Sequence, residues 1–143
     1  MHKGFEVKII ESWPDDQLVE LYKAGGWWLD HYTTDGLDDL IKGSFAFAVV
    51  IDESSGQAVG MGRAISDGVS DAWLQDIVVL EEFRGRGLGR AIIEKLLKHC
   101  MSCGLVWVGL VAEPGSRKFY EPLGFEKLPG EPMVYKRNSD VRD

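Results

Sequence analysis

Asp76-Ile-Val-Val-Leu-Glu-Glu-Phe-Arg-Gly-Arg-Gly-Leu-Gly-Arg-Ala-Ile-Ile93 is the stretch that decides the fold of this chain. The apolar run 77–80 predicts a strand, and apolar residues at helical spacing predict a helix from about Leu88. Three glycines at alternate positions join the two: Gly85, Gly87 and Gly89. N–H groups in the first turn of a helix lack acceptors within it, and the helix dipole favours negative charge there. The turn therefore predicts a phosphate-binding site.

Composition narrows the class of protein. The chain has 143 residues, 45% of them hydrophobic, and a net charge of −7, which fits one globular domain. An acidic chain is a poor nonspecific binder of nucleic acid, so we expect no such partner. The sequence has no apolar run of the roughly 20 residues that cross a bilayer and no signal-peptide pattern. These features predict a cytoplasmic protein without a membrane partner.

Periodicity and turn residues predict the element order β-α-α-β-β-β-α-β-α-β. The predicted strands are 5–11, 44–52, 57–66, 72–80, 105–111 and 133–136. The predicted helices are 14–24, 35–42, 88–103 and 116–122. This order indicates an α+β fold, with about four helices flanking a mixed, mostly antiparallel sheet. One domain is expected over residues 1–137, followed by a polar tail at 138–143.

Two familiar phosphate-binding motifs do not fit the glycine turn. A Walker A loop requires a Lys-Ser or Lys-Thr pair after its last glycine, and none follows here. A dinucleotide fingerprint requires a third glycine at the position of Ile92 and a repeated βαβ array, whereas a run of strands precedes this turn.

A third motif fits. Arg84-x-x-Gly87-x-Gly89 resembles the Arg/Gln-x-x-Gly-x-Gly/Ala signature of the Gcn5-related N-acetyltransferases. Phe119-Tyr-Glu-Pro-Leu-Gly-Phe125 resembles the closing motif of that family, and the spacing leaves room for one helix and one strand. The element order also agrees over nearly the whole chain. The resemblance implies an acyl-CoA N-acyltransferase fold, splayed between the strands at 72–80 and 105–111.

The resemblance implies acetyl-CoA as the acetyl donor and no metal. The glycine turn would hold the pyrophosphate through backbone N–H groups, and the preceding strand would pair its main chain with the pantetheine arm. The residues assigned to the donor are Ile77, Val78, Val79, Arg84, Gly85, Arg86, Gly87, Leu88, Gly89 and Arg90. The single C-x-x-C pair, Cys100 and Cys103, lacks the second pair of a zinc site and is interpreted as structural.

Tyr120 lies in the closing motif and is implied as the general acid. Attack of an amine on the thioester expels a thiolate, which a phenol with a pKa near 10 can protonate. The alternative is a Tyr that only packs against the cofactor. The family's usual Asn before this helix, which contacts the pantetheine arm, is replaced by Glu113 in this chain. Glu113 is either a cofactor or substrate contact or a solvated residue at a strand end.

By resemblance, the region between the first helices shapes the acceptor site, where aromatic residues favour an apolar or aromatic acceptor; the alternative is that at least one Trp is a core residue. The residues assigned to the acceptor site are Trp27, Trp28, Trp73 and Gln75. By resemblance the strand face that carries Gln75 lines this site, and strict alternation puts Trp73, Gln75 and Ile77 on that face. Gln75 cannot act as a base. Asp76 is the nearest carboxylate, but alternation directs it away unless a bulge intervenes.

These observations together predict an N-acetyltransferase that moves an acetyl group directly from acetyl-CoA to a primary amine. Its partners would be acetyl-CoA and an amine of a small molecule, peptide or protein. The resemblance is also compatible with a homodimer. The alternative is a regulatory or sensor module that binds acyl-CoA with little or no catalysis.

Overall fold

The computed structural model describes residues 2–137. Its strands are β1 (Phe5–Ile10), β2 (Ala46–Asp52), β3 (Ala58–Ser66), β4 (Ala72–Val79) and β5 (Val108–Leu110). Its α-helices are α1 (Asp15–Ala24), α2 (Leu37–Gly43), α3 (Leu88–Ser102) and α4 (Arg117–Tyr120). Short 3-10 turns cover Glu81–Phe83 and Glu121–Leu123. The predicted tail at 138–143 lies outside the described residues.

The strands form a five-stranded sheet in the order β1-β2-β3-β4-β5. The first four are antiparallel neighbours, whereas β4 and β5 run parallel. The mixed, mostly antiparallel sheet predicted from the sequence is therefore confirmed. The parallel pairing ends early, because Leu74 is the last β4 residue with a partner, Leu110, on β5. Beyond it, β4 continues to Val79 without that neighbour, which is the predicted splay.

Each face of the sheet carries an apolar core. On one face, Leu18 and Leu21 of α1 cluster with Phe47, Met61 and Val78 of the strands. On the other face lies α3, with five buried side chains: Leu88, Ile92, Ile93, Leu96 and Cys100. The helical spacing of these α3 residues is the pattern seen in the sequence. The packing leaves the ends of β4 and α3, which flank the glycine turn, anchored on a buried scaffold.

The chain divides into two compact units, one ending at Leu110 and the other beginning at Val111. The single domain over 1–137 stays a prediction. The predicted strand at 133–136 is wrong, since these residues have no regular secondary structure. Met133 is 93% exposed and Tyr135 is 83% exposed, so the local strand propensity has no packing to stabilise it. The predicted strand at 105–111 is shortened to β5.

Candidate active site

The glycine turn has the geometry of an anion site. Gly85 has φ +78° and Gly87 has φ +80°, a left-handed conformation that glycine adopts without steric cost. Gly87 is the N-cap of α3, and the N–H of Ala91 donates to the Gly87 carbonyl oxygen at 3.1 Å. The N–H groups of Leu88, Gly89 and Arg90 precede that bond and so have no acceptor within the helix. This is the arrangement that holds phosphate in other proteins.

The three arginines of the turn each have a partner within the same unit. Arg84 Nε donates to the carbonyl oxygen of Val79 at 2.8 Å. Arg90 forms an ion pair with Glu94, with 3.2 Å between Nε and Oε2. The Arg86 guanidinium lies 5.9 Å from the ring centroid of Phe5 and 5.4 Å from that of Phe83. These contacts orient the exposed side chains around the turn, and their role toward phosphate stays a prediction.

A β-bulge interrupts β4 just before the predicted donor-binding segment. Met61 pairs with Val78 and Arg63 pairs with Gln75, so one residue of β3 faces two residues of β4, Asp76 and Ile77. Asp76 has φ +59° and is the one non-glycine residue with positive φ among residues 2–137. The bulge is therefore centred on Asp76.

The bulge overturns the parity predicted for β4. Arg63 and Gln75 share the α1 face, where Asp76 also accepts a hydrogen bond from Tyr22 of α1. Ile77 lies on the opposite face: a Cβ built at Gly62 would be 2.5 Å from Ile77 Cδ1 and 2.7 Å from Ile92 Cγ2 of α3. The expectation that Gln75 and Ile77 share a face is wrong, because the extra residue reverses the alternation.

Five polar side chains meet at the bulge and are called the Asp76 cluster: Tyr22, Ser44, Arg63, Gln75 and Asp76. Asp76 Oδ2 accepts from Tyr22 Oη at 2.8 Å and from Arg63 Nε at 2.7 Å. Arg63 also reaches Gln75 Oε1 and Ser44 Oγ, both at 3.4 Å. The Arg63 and Asp76 side chains are only 17% and 18% exposed. Burial raises the pKa of Tyr22 well above its usual value, and the Asp76 carboxylate raises it further.

Sequence reasoning missed Tyr22 and Arg63. Tyr22 continues the apolar stripe of α1 and has the pattern of a core residue. Arg63 offers a signal, because it stands within the otherwise apolar strand β3, and a charge in a buried strand needs a partner. That signal identifies neither Asp76 nor Tyr22 as the partner.

The predicted acceptor aromatics fall into separate groups. Trp27 packs edge-to-face on Tyr22, with 6.2 Å between ring centroids, which brings it beside the Asp76 cluster. Trp28 packs on Tyr32 at 5.5 Å, and both Trp27 and Trp28 rest against the apolar core. Trp73 is 39% exposed and packs on Trp107 at 5.3 Å. Trp73 and Gln75 share the α1 face.

Tyr120 lies at the end of α4, in the second unit. Its ring packs edge-to-face on Phe119 at 4.9 Å and on Phe125 at 5.7 Å. Burial raises the pKa of Tyr120, and the negative charge of Glu113 raises it further. Glu113 begins a turn in which its own carbonyl oxygen accepts hydrogen bonds from Ser116 N at 2.9 Å and from Ser116 Oγ at 2.7 Å. The Glu113 carboxylate, which stands where the family usually has Asn, thus disfavours the phenolate form of Tyr120.

Neither a metal centre nor a membrane helix is present in the described part of the chain. Within residues 2–137, no group of three or more His, Cys, Asp or Glu side chains is placed to hold a metal ion. No helix in the same range has the length and apolar character needed to cross a membrane.

Known proteins that resemble this chain identify its family. Residues 8–125 match the model of the acetyltransferase (GNAT) family. The chain is 32% identical over 114 residues to GCN5-related N-acetyltransferase 1, chloroplastic, of Arabidopsis thaliana, covering 80% of this chain and 57% of that protein. It is 41% identical over 76 residues to serotonin N-acetyltransferase 2, chloroplastic, of rice (Oryza sativa subsp. japonica), covering 53% and 38% respectively.

A solved GNAT-family acetyltransferase from Streptococcus pneumoniae superposes with a TM-score of 0.77 at 24% identity, covering 94% of this chain and 99% of that one. The chain belongs to the GNAT acetyltransferase family. The predicted family and fold class are thereby confirmed. The chain spans about half the length of the curated relatives that it matches.

Proposed function

We propose that this protein is an acetyl-CoA-dependent N-acetyltransferase that acts on a primary amine. The observation that carries the proposal is the turn at Gly85 and Gly87, which opens α3 at the end of the β4 edge that β5 leaves unpaired. A diphosphate at the helix N-terminus and an extended amide chain along the strand edge are the two parts of CoA that this geometry suits.

The strand edge suggests which peptide groups receive the donor. The N–H of Leu80 donates to Val59 of β3 at 2.8 Å, so alternation turns the peptide groups of Val79 and Ile77 toward the unpaired edge. The Val79 carbonyl oxygen accepts from Arg84 Nε. We therefore assign the pantetheine contacts mainly to Ile77 and the N–H of Val79. The peptide groups of Val78 face β3.

Tyr120 is proposed as the general acid. The amine nitrogen attacks the thioester carbon, the C–S bond breaks, the new amide forms, and the departing thiolate takes the phenolic proton. The amine proton passes to solvent, which reprotonates the phenolate. Burial and Glu113 raise the pKa of Tyr120, which keeps the phenol protonated at neutral pH.

The acceptor is proposed to be an arylalkylamine, that is, a primary alkylamine that carries an aromatic ring. Trp27 beside the Asp76 cluster and the half-exposed Trp73 offer aromatic area on the α1 face. Aromatic rings pack edge-to-face or offset on one another, so these side chains suit an aryl group better than a charged peptide. The rice relative is named a serotonin N-acetyltransferase, which supports the same choice.

The test is a thiol-release assay with acetyl-CoA and a panel of amines. The panel holds serotonin, an alkylamine, a peptide with a free N-terminus and a lysine-containing peptide. We expect turnover highest with serotonin and about 100-fold or more lower for Tyr120→Phe, the range of general acid catalysis. Tyr135→Phe changes an exposed Tyr of the same unit and is the control. Turnover of Tyr120→Phe within about threefold of wild type would refute the acid role.

The same assay, run beside a calorimetric titration of acetyl-CoA, separates enzyme from sensor. Tight binding of acetyl-CoA with no turnover on any amine would instead support a regulatory module that binds acyl-CoA. One observation favours that second candidate, because the carboxylate nearest the acceptor face, Asp76, is already paired with Arg63. The cytoplasmic location and the homodimer stay proposals, which a fluorescent fusion and sedimentation would check.

A further inference from the structure

Asp76 holds a left-handed backbone conformation, which is uncommon for residues other than glycine. With φ +59° it lies in the left-handed region, where a Cβ crowds the neighbouring carbonyl oxygen. Glycine avoids that crowding, and Asn and Asp tolerate it better than other residues. Such residues persist when surrounding contacts fix them, and they are frequent at functional sites. The conformation of Asp76 therefore depends on the side chains around it.

Two donors from different elements fix this carboxylate. Tyr22 reaches Oδ2 from α1, 54 positions earlier in the chain, and Arg63 reaches the same oxygen from β3, 13 positions earlier. Arg63 is in turn held by contacts with Ser44 and Gln75. Charge-assisted hydrogen bonds are about twice as strong as neutral ones, so the pair of donors can hold Asp76 against the left-handed strain. The carboxylate is tied to both α1 and the sheet.

The position of the bulge gives these contacts a consequence for the donor. Asp76 directly precedes residues 77–79, which form the unpaired edge of β4. A bulge bends its strand and sets the direction of the residues after it. Loss of the bulge would slip the register by one residue and exchange the groups that face the edge.

We propose that Tyr22 and Arg63 are positioning residues that act through the Asp76 carboxylate to hold the β4 bulge, and thereby align the edge that receives the donor. The proposal rests on the proposed function, because it assumes that this edge binds CoA. Asp76 is assigned a positioning role and not that of general base. An oxygen that already accepts from Arg63 and Tyr22 is poorly placed to take a proton from an incoming amine.

Three substitutions at Asp76 separate conformation from chemistry. Asp76→Gly removes the carboxylate but adopts positive φ freely. Asp76→Asn removes the charge, keeps an acceptor oxygen and tolerates positive φ. Asp76→Ala removes both the acceptor and the tolerance. The probe is CoA itself, titrated by calorimetry, together with kcat and KM for acetyl-CoA at several pH values and a circular-dichroism melt of every variant.

We expect Asp76→Ala to bind CoA about tenfold more weakly, in line with the cost of a left-handed alanine. Asp76→Gly leaves Arg63 and Tyr22 without their acceptor and should therefore melt at a lower temperature. While folded, Asp76→Gly and Asp76→Asn should remain within about threefold of wild type in CoA affinity and in kcat, with an unchanged pH profile. As a single substitution, Tyr22→Phe should weaken CoA binding. In the Asp76→Gly background it should cause no further loss, because Tyr22 acts through the Asp76 carboxylate. This double-variant comparison stands even where Asp76→Ala fails to fold.

Other results overturn the proposal. Equal CoA affinity in all folded variants would show that the bulge does not align the edge. A loss of kcat in both Asp76→Gly and Asp76→Asn, with unchanged KM for acetyl-CoA and a changed pH profile, would make Asp76 a base. If the wild type binds CoA and the variants give either of these two results, this proposal is refuted while the proposed function stands. Failure of the wild type to bind CoA refutes the proposed function as well.

Discussion

The phenolic oxygen of Tyr22 lies 2.8 Å from Asp76 Oδ2 and donates its hydrogen to it, although the two residues are 54 positions apart in the chain. Tyr22 is 7% exposed, so the bond is formed largely away from water. It joins the amphipathic helix α1 to the one left-handed non-glycine residue of the described chain. Folding of the helix and the shape of β4 are therefore coupled at one carboxylate.

Tyr22→Phe should lower the free energy of unfolding by about 1–3 kcal/mol, because it removes a hydrogen bond to a charged acceptor. Burial and Asp76 raise the pKa of Tyr22 in the folded protein. A raised folded pKa gives stability that is complete below the unfolded pKa of about 10 and is lost as pH rises above it. The gap between wild type and variant in urea melts should thus narrow above about pH 10.

Tyr32→Phe is the control, since Tyr32 is 37% exposed. A constant gap between wild type and Tyr22→Phe across this pH range would contradict the prediction.

Gly87→Ala should weaken CoA binding. Gly87 has φ +80°, and an added Cβ would lie 2.9 Å from His2 Nε2 at the mouth of the turn. Left-handed strain costs roughly 1–2 kcal/mol for a non-glycine residue, and the imidazole must also move. We expect affinity for CoA to fall about tenfold in calorimetry.

Gly104→Ala provides the matched control at the other end of α3. It has φ +86° with nothing within 4 Å of the added Cβ, so it carries the same backbone strain outside the turn. It should lower the melting temperature and leave CoA affinity unchanged. An equal loss of affinity in both variants would mean that Gly87→Ala acts only through global stability.

The glycine turn was predictable because its signals are local. The alternating glycines, the apolar run before them and the helical spacing after Leu88 lie within one segment, and each has a direct conformational meaning. The element order follows from the same kind of local signal, which is why the predicted fold and family are confirmed. The limits of the helices and strands moved by a few residues, as at β5, where pairing stops at Leu110.

The Asp76 cluster could not be predicted because nothing local encodes it. Strand alternation holds until one residue is added, and the sequence Gln75-Asp76-Ile77 carries no glycine to mark the bulge. Its partners come from α1 and β3, so the bulge exists only once the tertiary structure is formed. The wrong strand prediction at 133–136 also depends on tertiary structure. That segment has strand propensity, but its side chains are exposed and no packing surface stabilises a strand there.

Gly25→Ala should disturb the predicted acceptor face. The backbone of Gly25 is ordinary, with φ −79°, but an added Cβ would collide with the six-membered ring of Trp27. Trp27 must then move relative to Tyr22. We expect a loss of about 1–3 kcal/mol in a urea melt, the usual cost of overpacking. The KM for an arylalkylamine should rise, and that for acetyl-CoA should not.

Gly26→Ala is the neighbouring control. It has φ +80° and nothing within 4 Å of the added Cβ, so it adds backbone strain without touching the ring. If both variants raise the KM for the amine equally, the loop conformation and not Trp27 determines the acceptor site.

Glu113→Gln should shift the alkaline limb of the rate profile to lower pH. The negative charge of Glu113 disfavours the phenolate and so raises the pKa of Tyr120, although burial is the larger cause. Removing that charge lowers the pKa, and the protonated acid is lost at a lower pH. The measurement is kcat against pH, with the phenol titration followed by ultraviolet difference absorbance against Tyr120→Phe.

Glu131→Gln removes the same charge from an exposed position of the same unit and should leave the limb unmoved. If Glu113→Gln shifts the phenol titration but not the alkaline limb of the kcat profile, Tyr120 titrates without donating the proton. That result would refute its role as general acid. If neither moves, the carboxylate of Glu113 does not act on Tyr120 in solution. Only a parallel shift of both curves supports a proton transfer from Tyr120 that Glu113 tunes.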